Sequence, residues 1–130
     1  MEYGEKFAPI TLKADDARRI ADLFERIDAL PWKELKRYMF DPWREEYDIM
    51  ARICWTFRRY AEYIEPETIA PVNIPEQMFQ CVWHTLYDLL EDRDKKQDLE
   101  AFMPEGSTVE DFRKLWAWLD QYGFIAGLDI

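Results

Sequence analysis

Apolar residues recur along this chain at helical spacing. Over residues 13–30, Ala17, Ile20, Leu23, Phe24 and Ile27 step by three and four, and Asp15 and Asp16 suit the positive end of a helix dipole. Pro31 interrupts, and a short helical piece follows over 32–38. Asp41 and Pro42 then read as the cap and first residue of a longer helix. From there Trp43, Tyr47, Met50, Cys54, Phe57, Ala61 and Ile64 alternate steps of four and three. That spacing predicts a helix over 42–64 with Cys54 central in its apolar stripe. It suits the core helix of a bundle or a coiled-coil seam, and the second leaves open a homodimer through this helix.

Residues 65–75 contain Pro66, Pro71 and Pro75, so they cannot form regular helix and read as a linker or ordered crossover. Pro75 opens a helix reaching about Glu91. Its apolar face, Met78, Phe79, Val82, Trp83, Leu86, Leu89 and Leu90, is too wide for one covered side and predicts a central position. A charge run over 91–98 reads as an exposed extension. Ser107-Thr108-Val109-Glu110 matches a capping box, with Glu110 reaching back to Ser107. Val109, Phe112, Leu115, Trp116 and Leu119 form the buried face of that last helix, and Gly123 is the expected left-handed cap. No segment of convincing length alternates with strand period. The expected fold is all-α: one domain over 1–130, a compact bundle of about four longer helices plus one or two short ones.

Composition narrows the class. The 130 residues hold 17 Lys and Arg against 27 Asp and Glu, a net charge of -10. Such a balance argues against direct nucleic-acid binding and against electrostatic docking on anionic lipid. With 6 Trp, 7 Tyr and 8 Phe, the chain is too aromatic for an acidic disordered tail. No basic region followed by an apolar run opens the chain, and no apolar stretch is long enough to span a membrane, so a cytoplasmic location is expected. Cys54 and Cys81 lie in helical patterns and read as reduced, buried thiols.

Familiar catalytic groupings are scarce. There is one histidine, His84, and one serine, Ser107, already assigned to the cap. Cys81 and His84 share a helix face, but no electropositive setting activates the thiol. With Asp88 they offer three metal ligands where a structural zinc site uses four, and His84 paired with Asp88 is the plainer reading. No cofactor and no metal are expected, and the chain reads as no enzyme.

Charge placement carries more. Residues 1–59 contain 12 basic and 12 acidic side chains, whereas residues 60–130 contain 5 basic and 15 acidic. Between Tyr60 and Asp92 there is no Lys or Arg. Glu62, Glu65, Glu67, Glu76, Glu91 and Asp92 are the candidate acidic contacts. They form either a solvated face that keeps the protein soluble or a surface that docks on a basic partner. Trp55, about 100° from Cys54 on its helix, and Trp118 fall off their apolar stripes. Each either packs under a neighbouring element or anchors an interface. Lys33, Lys36 and Arg37 read as a solvated basic cluster.

The function expected from these observations is a non-catalytic interaction module that binds another protein through an acidic, aromatic-studded surface. A sharper form is an inhibitor filling a partner's nucleic-acid-binding groove, as phage anti-restriction and anti-CRISPR proteins do, an analogy of composition alone. The alternatives are a helical adaptor or immunity-type partner, and a small-molecule binder or enzyme with a pocket lined by Trp83, Trp116 and Tyr87.

Overall fold

Residues 7–35, 49–63, 69–91 and 96–125 are described by the computed structural model. In chain order the elements are β1 (Phe7–Lys13), α1 (Ala14–Asp28), α2 (Trp32–Leu35), α3 (Ile49–Tyr63), β2 (Ile69–Pro75), α4 (Glu76–Glu91), α5 (Lys96–Phe102) and α6 (Val109–Ile125). The fold is predominantly helical, as the periodicity predicts. Residues 41–48, which carry the start of the expected 42–64 helix, lie outside the described residues, as do Lys36 and Arg37.

The strands were not legible as strands. β1 and β2 form a two-stranded antiparallel ladder, in which Phe7 faces Pro75, Pro9 faces Asn73 and Thr11 faces Pro71. Each of these three pairs contains a proline, which has no N–H to donate. The ladder therefore bonds through the intervening pairs, Ala8 with Ile74, Ile10 with Val72 and Leu12 with Ala70. All three prolines sit at positions whose backbone points away from the partner strand, where they cost no ladder bond. Thus 69–75 is the ordered crossover in extended form. Ile10, Leu12 and Ile74 are buried beneath it.

Helix α4 is the centre of the packing. It touches α3, α5, α6 and both strands. Its buried set is Met78, Phe79, Cys81, Val82, Thr85, Leu86, Leu89 and Leu90, wider than any one-sided stripe. A single hydrophobic cluster joins it to Phe24 of α1, Phe57 of α3 and Phe112 of α6. Each such side chain contributes roughly 1.5–3 kcal/mol by leaving water.

Two helix signals sit elsewhere than the sequence indicated. The reciprocal cap of α6 is one residue later than Ser107–Glu110. Thr108 Oγ1 accepts the Asp111 backbone N–H at 3.2 Å, and the Thr108 N–H donates to Asp111 Oδ2 at 2.8 Å. Ser107 Oγ instead accepts from Arg19 Nε at 3.2 Å, tying the α6 entry to α1. Gly123 is not a left-handed cap, because α6 continues through it to Ile125. The positive φ belongs to Gly106, at 83°, in the turn before α6.

Candidate functional site

The face shared by α1 and α3 carries an unusual concentration of charge and exposed ring. Arg58 Nη2 donates to Asp22 Oδ1 at 2.9 Å and to Glu25 Oε2 at 2.5 Å. One turn earlier on α3, Cys54 feels the charges of Glu25 and Asp28. Rising number on α3 thus meets falling number on α1, so the two helices run antiparallel. An open groove of about 420 Å³ lies along this seam, lined by Glu25 and Asp28 of α1 and by Ala51, Cys54, Trp55, Arg58, Arg59 and Glu62 of α3.

Buried residues Ile49, Met50, Ile53, Phe57 and Ala61 define the inner face of α3. Cys54 is therefore at the edge of the apolar stripe and only half-buried, contrary to the central position expected from the seam spacing. Taking Phe57 as the inward direction, Trp55 stands roughly 160° away, almost opposite the core. It is 62% exposed, and Tyr63 is 74% exposed. Arg59 lies between them, its guanidinium carbon 4.9 Å from the Trp55 ring centroid and 5.8 Å from that of Tyr63. Trp55, Arg59 and Tyr63 repeat every four residues, so one helix face stacks ring, cation and ring. Each contact is worth about 0.5–1 kcal/mol at an exposed position.

Burial is the largest influence on Cys54 and raises its thiol, while the hydrogen bond and charge of Arg58 act in the opposite sense. Cys54 and Cys81 are both free. Burial pushes the Cys81 thiol up to about 12, against a hydrogen bond with Thr85, so it is a neutral thiol near pH 7 rather than a nucleophile. His84 meets the Trp83 ring edge-on at 4.8 Å. Its pKa is lowered by burial, with the Asp88 charge opposing. Among the described residues no three His, Cys, Asp or Glu side chains group as metal ligands. No helix of the described residues is long and apolar enough to cross a membrane.

The remaining sequence candidates are dispersed. Glu62 is exposed at one end of the groove, in the company of Trp55. Glu76 accepts from Gln80 Nε2 at 3.3 Å, which leaves its charge in place, and Glu91 is paired with Arg113 at 3.2 Å. Glu65, Glu67 and Asp92 lie outside the described residues. Trp118 remains 38% exposed, while its indole Nε1 donates to the Thr11 carbonyl at 2.5 Å, which ties it to β1. Trp83, Tyr87 and Trp116 pack on one another with centroids 5.3–5.7 Å apart, so they fill the space between themselves. Trp83 Nε1 donates to Asp120 at 3.0 Å.

A second cleft, of about 440 Å³, opens between β1, α1 and α6 beside Trp118. Its carboxylates are engaged: Asp15 with Arg18, Asp16 with Arg19, and Asp111 with the Thr108 cap. The α1–α3 groove differs, because Asp28 and Glu62 have no cationic partner among the described residues. Glu25, Asp28 and Tyr63 did not stand out in the sequence, whereas the helical spacing puts Arg59 beside Trp55. Trp55 and Glu62 did stand out, and the i, i+4, i+8 spacing of Trp55, Arg59 and Tyr63 is a further signal of the site. A scan against protein-family models, a search of curated proteins and a search of solved structures each return no match to this chain.

Proposed function

We propose that this protein is a non-catalytic interaction module whose working surface is the outer face of α3 and its groove with α1. The observation that carries the reading is Trp55, a large apolar ring left 62% exposed and held in place by Arg59. The Arg59 contact biases the ring toward one orientation, and tryptophan, with tyrosine and arginine, is enriched among binding hot spots. The surrounding carboxylates select the partner. Asp22, Glu25, Asp28 and Glu62 outnumber Arg52, Arg58 and Arg59, and the chain as a whole carries -10. The complementary partner is a protein with a basic surface. Where that surface is a nucleic-acid-binding groove, the protein acts as an inhibitor by occupying it.

The test uses purified basic nucleic-acid-binding proteins, including those captured from the native host, against the wild-type chain and the variants Trp55→Ala and Glu62→Lys. Both positions are exposed, so both variants retain the fold. Affinity is expected to fall steeply with salt, to drop at least tenfold in Trp55→Ala, and to be lost to added DNA or RNA. Binding indifferent to salt, or unchanged in both variants, overturns the reading.

A further inference from the structure

Two stripes run along α3 on opposite faces. Met50, Ile53, Phe57 and Ala61 step by three and four along the inner face and are spent on the core. Arg52, Trp55, Arg59 and Glu62 step by three, four and three along the outer face, and all four are exposed. At 100° per residue these four lie within about 80° of one another, a stripe narrow enough to meet a single neighbouring helix. Tyr63, also exposed, flanks it. The apolar stripe is thus closed to a second copy of the chain, and the outer stripe is the face of α3 that one can reach.

The order of charges along the stripe decides which way a second copy can lie. In a parallel pair like meets like: Arg52 faces Arg52, Arg59 faces Arg59 and Glu62 faces Glu62, which repels. In an antiparallel pair, a two-fold axis level with Phe57 sets Arg52 opposite the partner's Glu62, five residues to either side. It sets Trp55 opposite the partner's Arg59, two residues to either side. Each contact occurs twice by symmetry. An axis level with Arg59 would instead set that guanidinium against its own copy. Arg59 already lies 4.9 Å from the Trp55 ring centroid in its own chain, and the 62% exposure of Trp55 leaves area for a second guanidinium. Arg52 also has an interaction within its own chain, and five N–H donors let one guanidinium serve more than one acceptor.

We propose that two copies of this protein associate through the outer stripe of α3, antiparallel about Phe57, with Arg52 paired to the partner's Glu62 and Trp55 covered by the partner's Arg59. The second copy supplies the basic residues in place of a foreign partner, and it covers the Trp55 that such a partner needs. Dimer and partner complex are then mutually exclusive, so dilution frees the working surface. Two short helical stripes bury less than a standard interface, and the association is weak and reversible.

Sedimentation of the full chain at low ionic strength, from micromolar to millimolar concentration, reads the oligomeric state. The wild type is expected to pass from monomer to dimer, and to need a higher concentration when salt is added. Arg52→Glu and Glu62→Arg each set like charges opposite one another and should each hold the chain monomeric, with circular dichroism confirming the fold. The double variant Arg52→Glu with Glu62→Arg restores opposite charges in the antiparallel register alone and should dimerise again. Trp55→Ala should weaken the dimer roughly five- to thirtyfold, the worth of two exposed cation–π contacts. Where Arg52→Glu disturbs the fold, Glu62→Arg and Trp55→Ala carry the test. A wild-type chain that stays monomeric at millimolar concentration overturns the dimer and leaves the basic-partner reading in place. A dimer indifferent to both Glu62→Arg and Trp55→Ala overturns this interface, and a folded double variant that stays monomeric overturns the antiparallel register.

Discussion

The indole N–H of Trp118 on α6 donates to the backbone carbonyl of Thr11 on β1 at 2.5 Å, across 107 residues of sequence. Thr11 is free to accept because it faces Pro71 in the ladder and so presents its backbone away from β2. The same proline phase that lets the ribbon form thus leaves a carbonyl for the last helix to grip. Trp118→Phe keeps most of the apolar contact and removes the donor. It is expected to lower unfolding free energy by about 0.5–1.5 kcal/mol in urea titration, with the denaturant slope unchanged. An unaltered midpoint would show the bond to be energetically idle.

The cap of α6 makes a second prediction. Thr108 and Asp111 satisfy each other's backbone and side-chain groups, whereas Ser107 bonds Arg19. Thr108→Ala should cost about 1 kcal/mol, within the ~0.5–2 range for lost N-caps. Glu110→Ala, which would disrupt a Ser107–Glu110 box, should change stability by less than about 0.5 kcal/mol. Chemical denaturation of the two variants separates the alternatives directly.

Acid should destabilise the protein in two stages. Burial lowers the pKa of His84, so the folded state disfavours the protonated ring. The unfolded chain takes that proton first, near 6.5; the His84 contribution is present above this value and lost as pH falls below it. Asp111 is held below 3.8 chiefly by the Thr108 backbone N–H. Its contribution is present above 3.8 and disappears as pH falls through the lower folded value. Melting temperature plotted against pH should decline in both windows. His84→Gln should remove the first decline and Asp111→Asn the second.

Much of the helical architecture was legible because one-dimensional apolar spacing encodes it. The inward set on α1 and the wide face of α4 are where the periodicity puts them, and the width of that face sets α4 at the centre of the packing. The strands escaped for a physical reason. Ile10, Thr11, Leu12 and Lys13 alternate, but over too short a run, and the prolines on both strands argue against pairing unless their phase is known. That phase exists only once residues 7–13 and 69–75 lie side by side. The cap of α6 was displaced by one residue because Ser107, Thr108, Glu110 and Asp111 offer two overlapping boxes, and only Arg19, arriving from α1, engages Ser107.

The candidate site divides in the same way. Sequence alone determined that the chain is strongly acidic, that the excess follows residue 59, and that Trp55 stands off its apolar stripe. Tertiary structure decided which carboxylates are open. It closed Glu91 with Arg113 and consumed Asp22 and Glu25 on Arg58. It also brought Asp28, from the half of the chain whose charges balance, to the groove that Glu62 borders. Net charge is a sum over the chain and survives unfolding. Whether a particular carboxylate is neutralised depends on which cation folding brings within a few ångströms, and that is settled only by the packing of one helix against another.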